Sequence, residues 1–189
     1  MISELIDKLN TIKCDYLNVA NVCADRLSDY SYSYGSSKIV VNYGRIVIKK
    51  IFGNVPLSEP EVYKKARQVG VKNFFVNSME LGDGIYVQQK VDIPLNEFVI
   101  NQAKETGHKI PYGSLREGYR QCGLQELLYR SDCVVLYYLF LKYTMEEILK
   151  FQDFVVENDI ADLNFYNAGF YKDRVVFFDY SGIGEEIVN

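Results

Sequence analysis

Tryptophan is absent from this 189-residue chain, and histidine occurs once, at His108. A single imidazole leaves no basis for a site built on several histidines. The four cysteines, Cys14, Cys23, Cys122 and Cys133, are widely spaced and form no C-x-x-C pair, so neither a zinc site nor a disulfide framework is indicated. No apolar run approaches the roughly 20 residues that span a bilayer. The amino terminus carries acidic Glu4 and Asp7 where a signal peptide would be basic and then apolar, so a cytoplasmic protein without a membrane partner is expected. Positive charge is not in excess either. A net charge of -4 and a pI near 5.1 argue against a broad nucleic-acid-binding face, which needs clustered cations.

What the chain has in quantity is apolar and aromatic surface, 48% hydrophobic residues with 16 Tyr and 11 Phe. Its length suits one domain, or two lobes around a cleft, burying roughly 70% of the surface the unfolded chain exposes. Ile2, Leu5, Ile6, Leu9, Ile12 and Tyr16 recur at spacings of three and four, which predicts an amphipathic helix from Ile2 to about Asp25. Ser28 to Ser37 is Ser/Tyr-rich and reads as weakly structured. Lys38 to Val41 and Gly44 to Ile51 read as strands around a turn at Asn42 to Gly44. Ser58 with Glu61 three residues on is a capping-box pattern, Pro60 suits a first turn and Gly70 a stop, so Ser58 to Val69 is a helix. Strands at about Asn73 to Met79 and Ile85 to Val91 flank a Gly82 to Gly84 turn. After Pro94 the pattern turns helical, with a short helix to Gln102, a loop from Thr106 to Ser114, and helical spacing over 115–132 and 133–157.

The densest chemistry lies in Ala161 to Gly182, ADLNFYNAGFYKDRVVFFDYSG. Ala168 to Tyr171 and Val175 to Tyr180 read as two strands of a hairpin, broken by Lys172, Asp173 and Arg174. Centred on Asp173, the hairpin would set Asn167 and Asp179 opposite each other, roughly 5 Å apart. An amide oxygen and a carboxylate suit magnesium, which takes one or two protein groups plus water and substrate phosphates. Asp162 stands just before the hairpin. Each of the three alone is also an ordinary turn or strand-end residue.

A sheet-rich front half with one helix, followed by a helical back half carrying D-L-N-F-Y-N and F-F-D-Y-S-G, resembles the protein-kinase-like superfamily, nearest the small single-domain kinases of bacteriophages and bacteria. The resemblance spans about residues 30 to 182. It implies an α+β, two-lobed fold, with an N-terminal helical segment (1–29), a sheet-rich N-lobe with one helix (30–91) and a reduced, truncated helical C-lobe (92–189). Asp162 matches the catalytic-loop Asp that orients the attacking hydroxyl, Asn167 the Asn that binds magnesium, and Asp179 the main metal ligand. Val-Ile-Lys ending at Lys49 resembles the strand whose Lys holds the phosphates of ATP. Alternation puts Val47, against the base, on the same face as Lys49, and turns Lys50 away. The bland alternative is a solvated basic strand end. Glu61 matches the helix Glu that braces this Lys, and equally well completes the capping box with Ser58. Gly35, Ser36 and Ser37 stand where a glycine-rich loop would cover the phosphates, without G-x-G-x-x-G. Gln89 to Val91 stand at the hinge, offering backbone groups to adenine.

Two departures bear on mechanism. Ile160 and Ala161 replace the usual His and Arg before Asp162, so regulation through activation-loop phosphorylation is not expected. Only ten residues follow Asp179, so the A-P-E segment is absent and the surface for a protein acceptor would come from the long helices, the N-terminal helix or a second subunit. The resemblance therefore implies a magnesium- and ATP-dependent phosphotransferase, foremost a Ser/Thr-directed protein kinase acting in the cytoplasm, the host's if the chain is of phage origin. Two alternatives stay open: a kinase-fold enzyme that phosphorylates a small molecule or transfers nucleotide, and a binding module that keeps the fold without catalysis.

Overall fold

The computed structural model describes residues 2–53, 55–106, 133–160, 163 and 165–181, and the fold is α+β. In chain order the elements are α1 (Ile2–Thr11), α2 (Val19–Arg26), β1 (Ser31–Tyr34), β2 (Lys38–Tyr43), β3 (Ile46–Ile51), α3 (Glu59–Val69), β4 (Ser78–Gly82), β5 (Ile85–Gln89), β6 (Ile93–Pro94), α4 (Leu95–Thr106), α5 (Cys133–Lys142), α6 (Met145–Glu157), β7 (Ala168–Tyr171) and β8 (Arg174–Phe177). They fall into two compact units: the chain up to Pro56 with Asn77–Lys90, and Leu57–Val76 with 91–183. The kinase-like resemblance implies a single lobe over 30–91. The stretch from α3 to Val76 groups instead with the second unit, because Val62, Ala66, Phe74 and Phe75 belong to that unit's apolar cluster.

The first unit is built on an antiparallel sheet of order β1-β2-β3-β5-β4. Alternation sorts its side chains onto two faces. One face buries Ile39, Val41, Ile48 and Ile85 in a cluster with Leu5 and Leu9 of α1, Val19 and Cys23 of α2, and Leu27. Each such side chain contributes roughly 1.5–3 kcal/mol when fully buried. That packing holds α1, since a helix this short is marginal alone. The single helix expected from Ile2 to about Asp25 is interrupted. The Asp15 carboxylate accepts the N–H groups of Leu17 (3.0 Å) and Asn18 (3.1 Å), and the Asn18 side-chain oxygen accepts the Asp15 N–H at 3.0 Å. Local side-chain bonds of this kind compete with helix continuation. Ser31–Tyr34, weakly structured by composition, becomes the edge strand β1 because β2 supplies its ladder partner.

The second unit packs α3, α5, α6 and β8 around Val62, Ala66, Leu139, Ile148, Phe151, Val175 and Phe177. Phe74 stacks between Tyr143 (4.1 Å) and Phe151 (4.3 Å). The helical stretch from 133 to 157 is two helices, because Thr144 caps α6. Its hydroxyl accepts the Glu147 N–H at 3.2 Å, and the Glu147 carboxylate accepts the Thr144 N–H at 2.8 Å. Instead of a strand starting near Asn73, Lys72–Phe74 form a 3-10 turn and β4 begins at Ser78. β6, β7 and β8 form a small antiparallel sheet in which Gly169 is required, since a Cβ there would meet the Ile93 carbonyl oxygen at 2.9 Å. The helix expected over 115–132 and the loop holding His108 lie outside the described residues. Among the described residues no helix is long and apolar enough to cross a membrane.

Candidate functional site

The second face of the large sheet differs from the first in chemistry. The pairings Val40 to Lys49, Asn42 to Val47, Lys49 to Tyr86, Val47 to Gln88 and Ser78 to Gln88 put all of these residues on that face, together with Lys38. Lys49 is 3% exposed and Lys38 8%, while Tyr86, Gln88 and Ser78 are also buried. Val47 is half-buried. A buried sheet face carrying two lysines is costly in desolvation and is retained only where anionic or hydrogen-bonding groups compensate. The Lys49 ammonium also lies 5.9 Å from the centre of the Tyr86 ring. Lys50 points to the other face, and its ammonium donates to the Asp83 carbonyl oxygen at 2.5 Å, tying β3 to the β4–β5 turn. Of the two adjacent lysines, Lys49 therefore shares a face with Val47.

The loop before β2 is a tight turn. The Gly35 N–H donates to the Lys38 carbonyl at 2.9 Å, and the Ser37 carbonyl accepts from Phe52 (2.9 Å) and Gly53 (3.2 Å). Gly53 permits this approach, as a Cβ there would stand 2.9 Å from Ser37 Cβ. Gly35 and Ser36 are exposed and Ser37 half-buried. Docking to the end of β3 makes this loop short and fixed, and the Gly35 amide is already spent inside it. At the hinge stretch, the N–H groups of Gln89 and Lys90 donate to the carbonyls of Asn77 and Arg45, both at 3.1 Å. Val91 is buried against Gly169. Two backbone donors expected to meet adenine thus serve the fold.

In the second unit, the β7–β8 hairpin pairs Tyr171 with Arg174 and Ala168 with Phe177. Its turn is the two residues Lys172 and Asp173, with φ of 47° and 64°. Positive φ at both positions is the type I′ geometry whose twist matches the strands. The hairpin is thus not centred on Asp173, and Asn167 does not face Asp179. Asn167 faces Phe178, whose N–H donates to the Asn167 carbonyl at 2.9 Å. Asp179 follows one residue later, at the same open end. Both side chains are half-buried. Two contacts with one residue hold Asp179 from either side: the Val76 N–H donates to the Phe177 carbonyl at 3.0 Å, and the Tyr180 hydroxyl donates to the Val76 carbonyl at 2.7 Å. An amide oxygen and a carboxylate at one strand end are hard ligands of the number magnesium takes from protein. Among the described residues no group of three or more His, Cys, Asp or Glu is placed to hold a metal ion. Asp162 lies outside the described residues, and its neighbour Leu163 is buried.

The carboxylate of Glu61 accepts the Ser58 N–H at 2.9 Å and the Ser58 hydroxyl at 2.7 Å, closing the capping box on an exposed turn. These bonds from Ser58, backbone first, hold its pKa below the usual carboxylate value. Of the two readings of Glu61, the structure places its side chain in the cap. The buried acid of α3 is Glu59, wholly inaccessible to solvent. Its signal was in the sequence: Glu59, Val62 and Ala66 at i, i+3 and i+7 form one buried stripe. Gln88 and Ser78 were also missed. Alternation puts Tyr86 and Gln88 on one side of β5, but only strand register reveals that they share it with Lys49. Compared with family models, curated proteins and solved structures, the chain matches none.

Proposed function

We propose that this chain is a magnesium- and ATP-dependent phosphotransferase with a two-lobed, kinase-like fold, directed foremost at Ser or Thr hydroxyls of proteins. The observation that carries the reading is Lys49, buried on a polar sheet face beside a half-buried Val47. An ammonium held there suits phosphate oxygens, and Val47 supplies apolar contact for a base. Asn167 and Asp179 would hold magnesium, which when bound neutralises charge on the phosphates. Asp162 orients the acceptor hydroxyl and takes its proton as the oxygen bonds to the γ-phosphorus and ADP leaves. Positioning and charge neutralisation do most of the work in such transfers. Glu61 has its donors from Ser58, and the buried carboxylate of α3 is Glu59.

The test is transfer of label from γ-labelled and α-labelled ATP, with magnesium, to the protein itself, lysate proteins and a metabolite mixture. Transfer of the γ label alone, lost in Asp162→Asn and in Asp179→Ala, is the expected result. Transfer of only the α label would instead make the chain a nucleotidyl transferase. Absence of transfer together with absence of any magnesium-ATP shift in melting temperature would refute the reading.

A further inference from the structure

The most unusual polar group in the first unit is Gln88. It is 1% exposed, and neither its Oε1 nor its Nε2 has a hydrogen-bond partner among the described residues. Directly opposite it on β4, the buried Ser78 hydroxyl also has no hydrogen-bond partner among the described residues. Buried amides are nearly always bonded, and an orphaned one is destabilising, so three orphaned atoms at one register position call for a partner that binds there. Across the ladder on the other side, Gln88 faces Val47. Lys49 follows two residues along β3, roughly 6.6 Å further.

We propose that Gln88, supported by Ser78, is the residue that reads the nucleotide base, and that it selects adenine. The inference rests on the phosphotransferase reading above. A nucleotide laid along β3 with its phosphates at Lys49 brings its base to Val47 and hence beside the Gln88 amide. The neighbouring main-chain donors of Gln89 and Lys90 are occupied by Asn77 and Arg45, which leaves the side-chain amide as an unused donor and acceptor at this position. A glutamine amide matches the N6 donor and N7 acceptor of adenine. Guanine offers two acceptors, O6 and N7, on that edge, so the amide oxygen would face an acceptor.

The experiment is calorimetric titration of the full chain with magnesium-ATP, magnesium-GTP and magnesium-7-deaza-ATP, the last lacking the N7 acceptor. The native protein is expected to bind ATP about tenfold or more tightly than either alternative. In Gln88→Met, which keeps volume and removes both polar atoms, the three nucleotides should bind within about twofold of one another. Equal native affinity for ATP and 7-deaza-ATP overturns the inference, and so does an ATP preference that survives in Gln88→Met. The 7-deaza comparison needs no variant, so a misfolded Gln88→Met would not spare it. A native chain that binds none of the three refutes the phosphotransferase reading itself, an outcome distinct from binding without discrimination.

Discussion

Replacing Tyr180 by Phe removes one hydroxyl and leaves the ring, so it isolates a single contact. The ring is wholly buried and packs 4.7 Å from the centre of Phe75, a contact that Phe would keep. The hydroxyl donates to the Val76 carbonyl at 2.7 Å, and the N–H of the same Val76 is bonded to Phe177. Deletion therefore removes one net hydrogen bond, about 1 kcal/mol, and leaves a buried carbonyl short of a donor, for a total of roughly 2 kcal/mol. In a chain of this size that is a fall in melting temperature of about 4–8 °C. Thermal or urea unfolding followed by circular dichroism reads it directly. Because the lost bond is one of two that flank Asp179, the proposed function further predicts that magnesium-ATP affinity falls, and more than in a variant equally destabilised far from the hairpin. A Tyr180→Phe protein that melts within about 1 °C of native would refute the claim that this bond anchors the strand end.

Gly169→Ala should destabilise by about 1–3 kcal/mol in denaturant titration, because its methyl would meet the rigid Ile93 carbonyl at 2.9 Å. Glu61→Ala should lower stability by on the order of 1 kcal/mol, the usual worth of a cap. The Glu61 contribution should fade in acid: its folded pKa is depressed, so the stabilisation is present above the unfolded carboxylate value and is lost as pH falls through the folded one. Cys23 has the opposite sign. Burial pushes its thiol up to about 11, so the unfolded chain ionises first and stability should fall between about pH 9 and 11. Urea midpoints across that range should show this slope in the native protein and a smaller one in Cys23→Ala.

Several features were legible because they depend on neighbours a few residues away. Val47 and Lys49 share a strand face by period-two alternation, which the ladder reproduces. The capping box at Ser58 and Glu61 and the stop at Gly70, with φ of 83°, follow from residue types at fixed offsets. The hairpin before Asp179 was visible in its apolar runs. Its centre was not, because Lys172 and Asp173 both take positive φ without a Gly or Asn to mark the turn. The break between α1 and α2 hung on which of two bonding patterns Asp15 would choose.

Local pattern therefore determined β2, β3, α3 and β5, the cap and the placing of Val47 with Lys49 on one strand face. Tertiary structure alone decided which sheet face meets α1 and α2, and that Ser78 and Gln88 meet across β4 and β5. The physical reason is that burial and register are set by contacts between segments distant in the chain. A side chain's polarity is read from one position, whereas whether that polarity is satisfied depends on what packs against it.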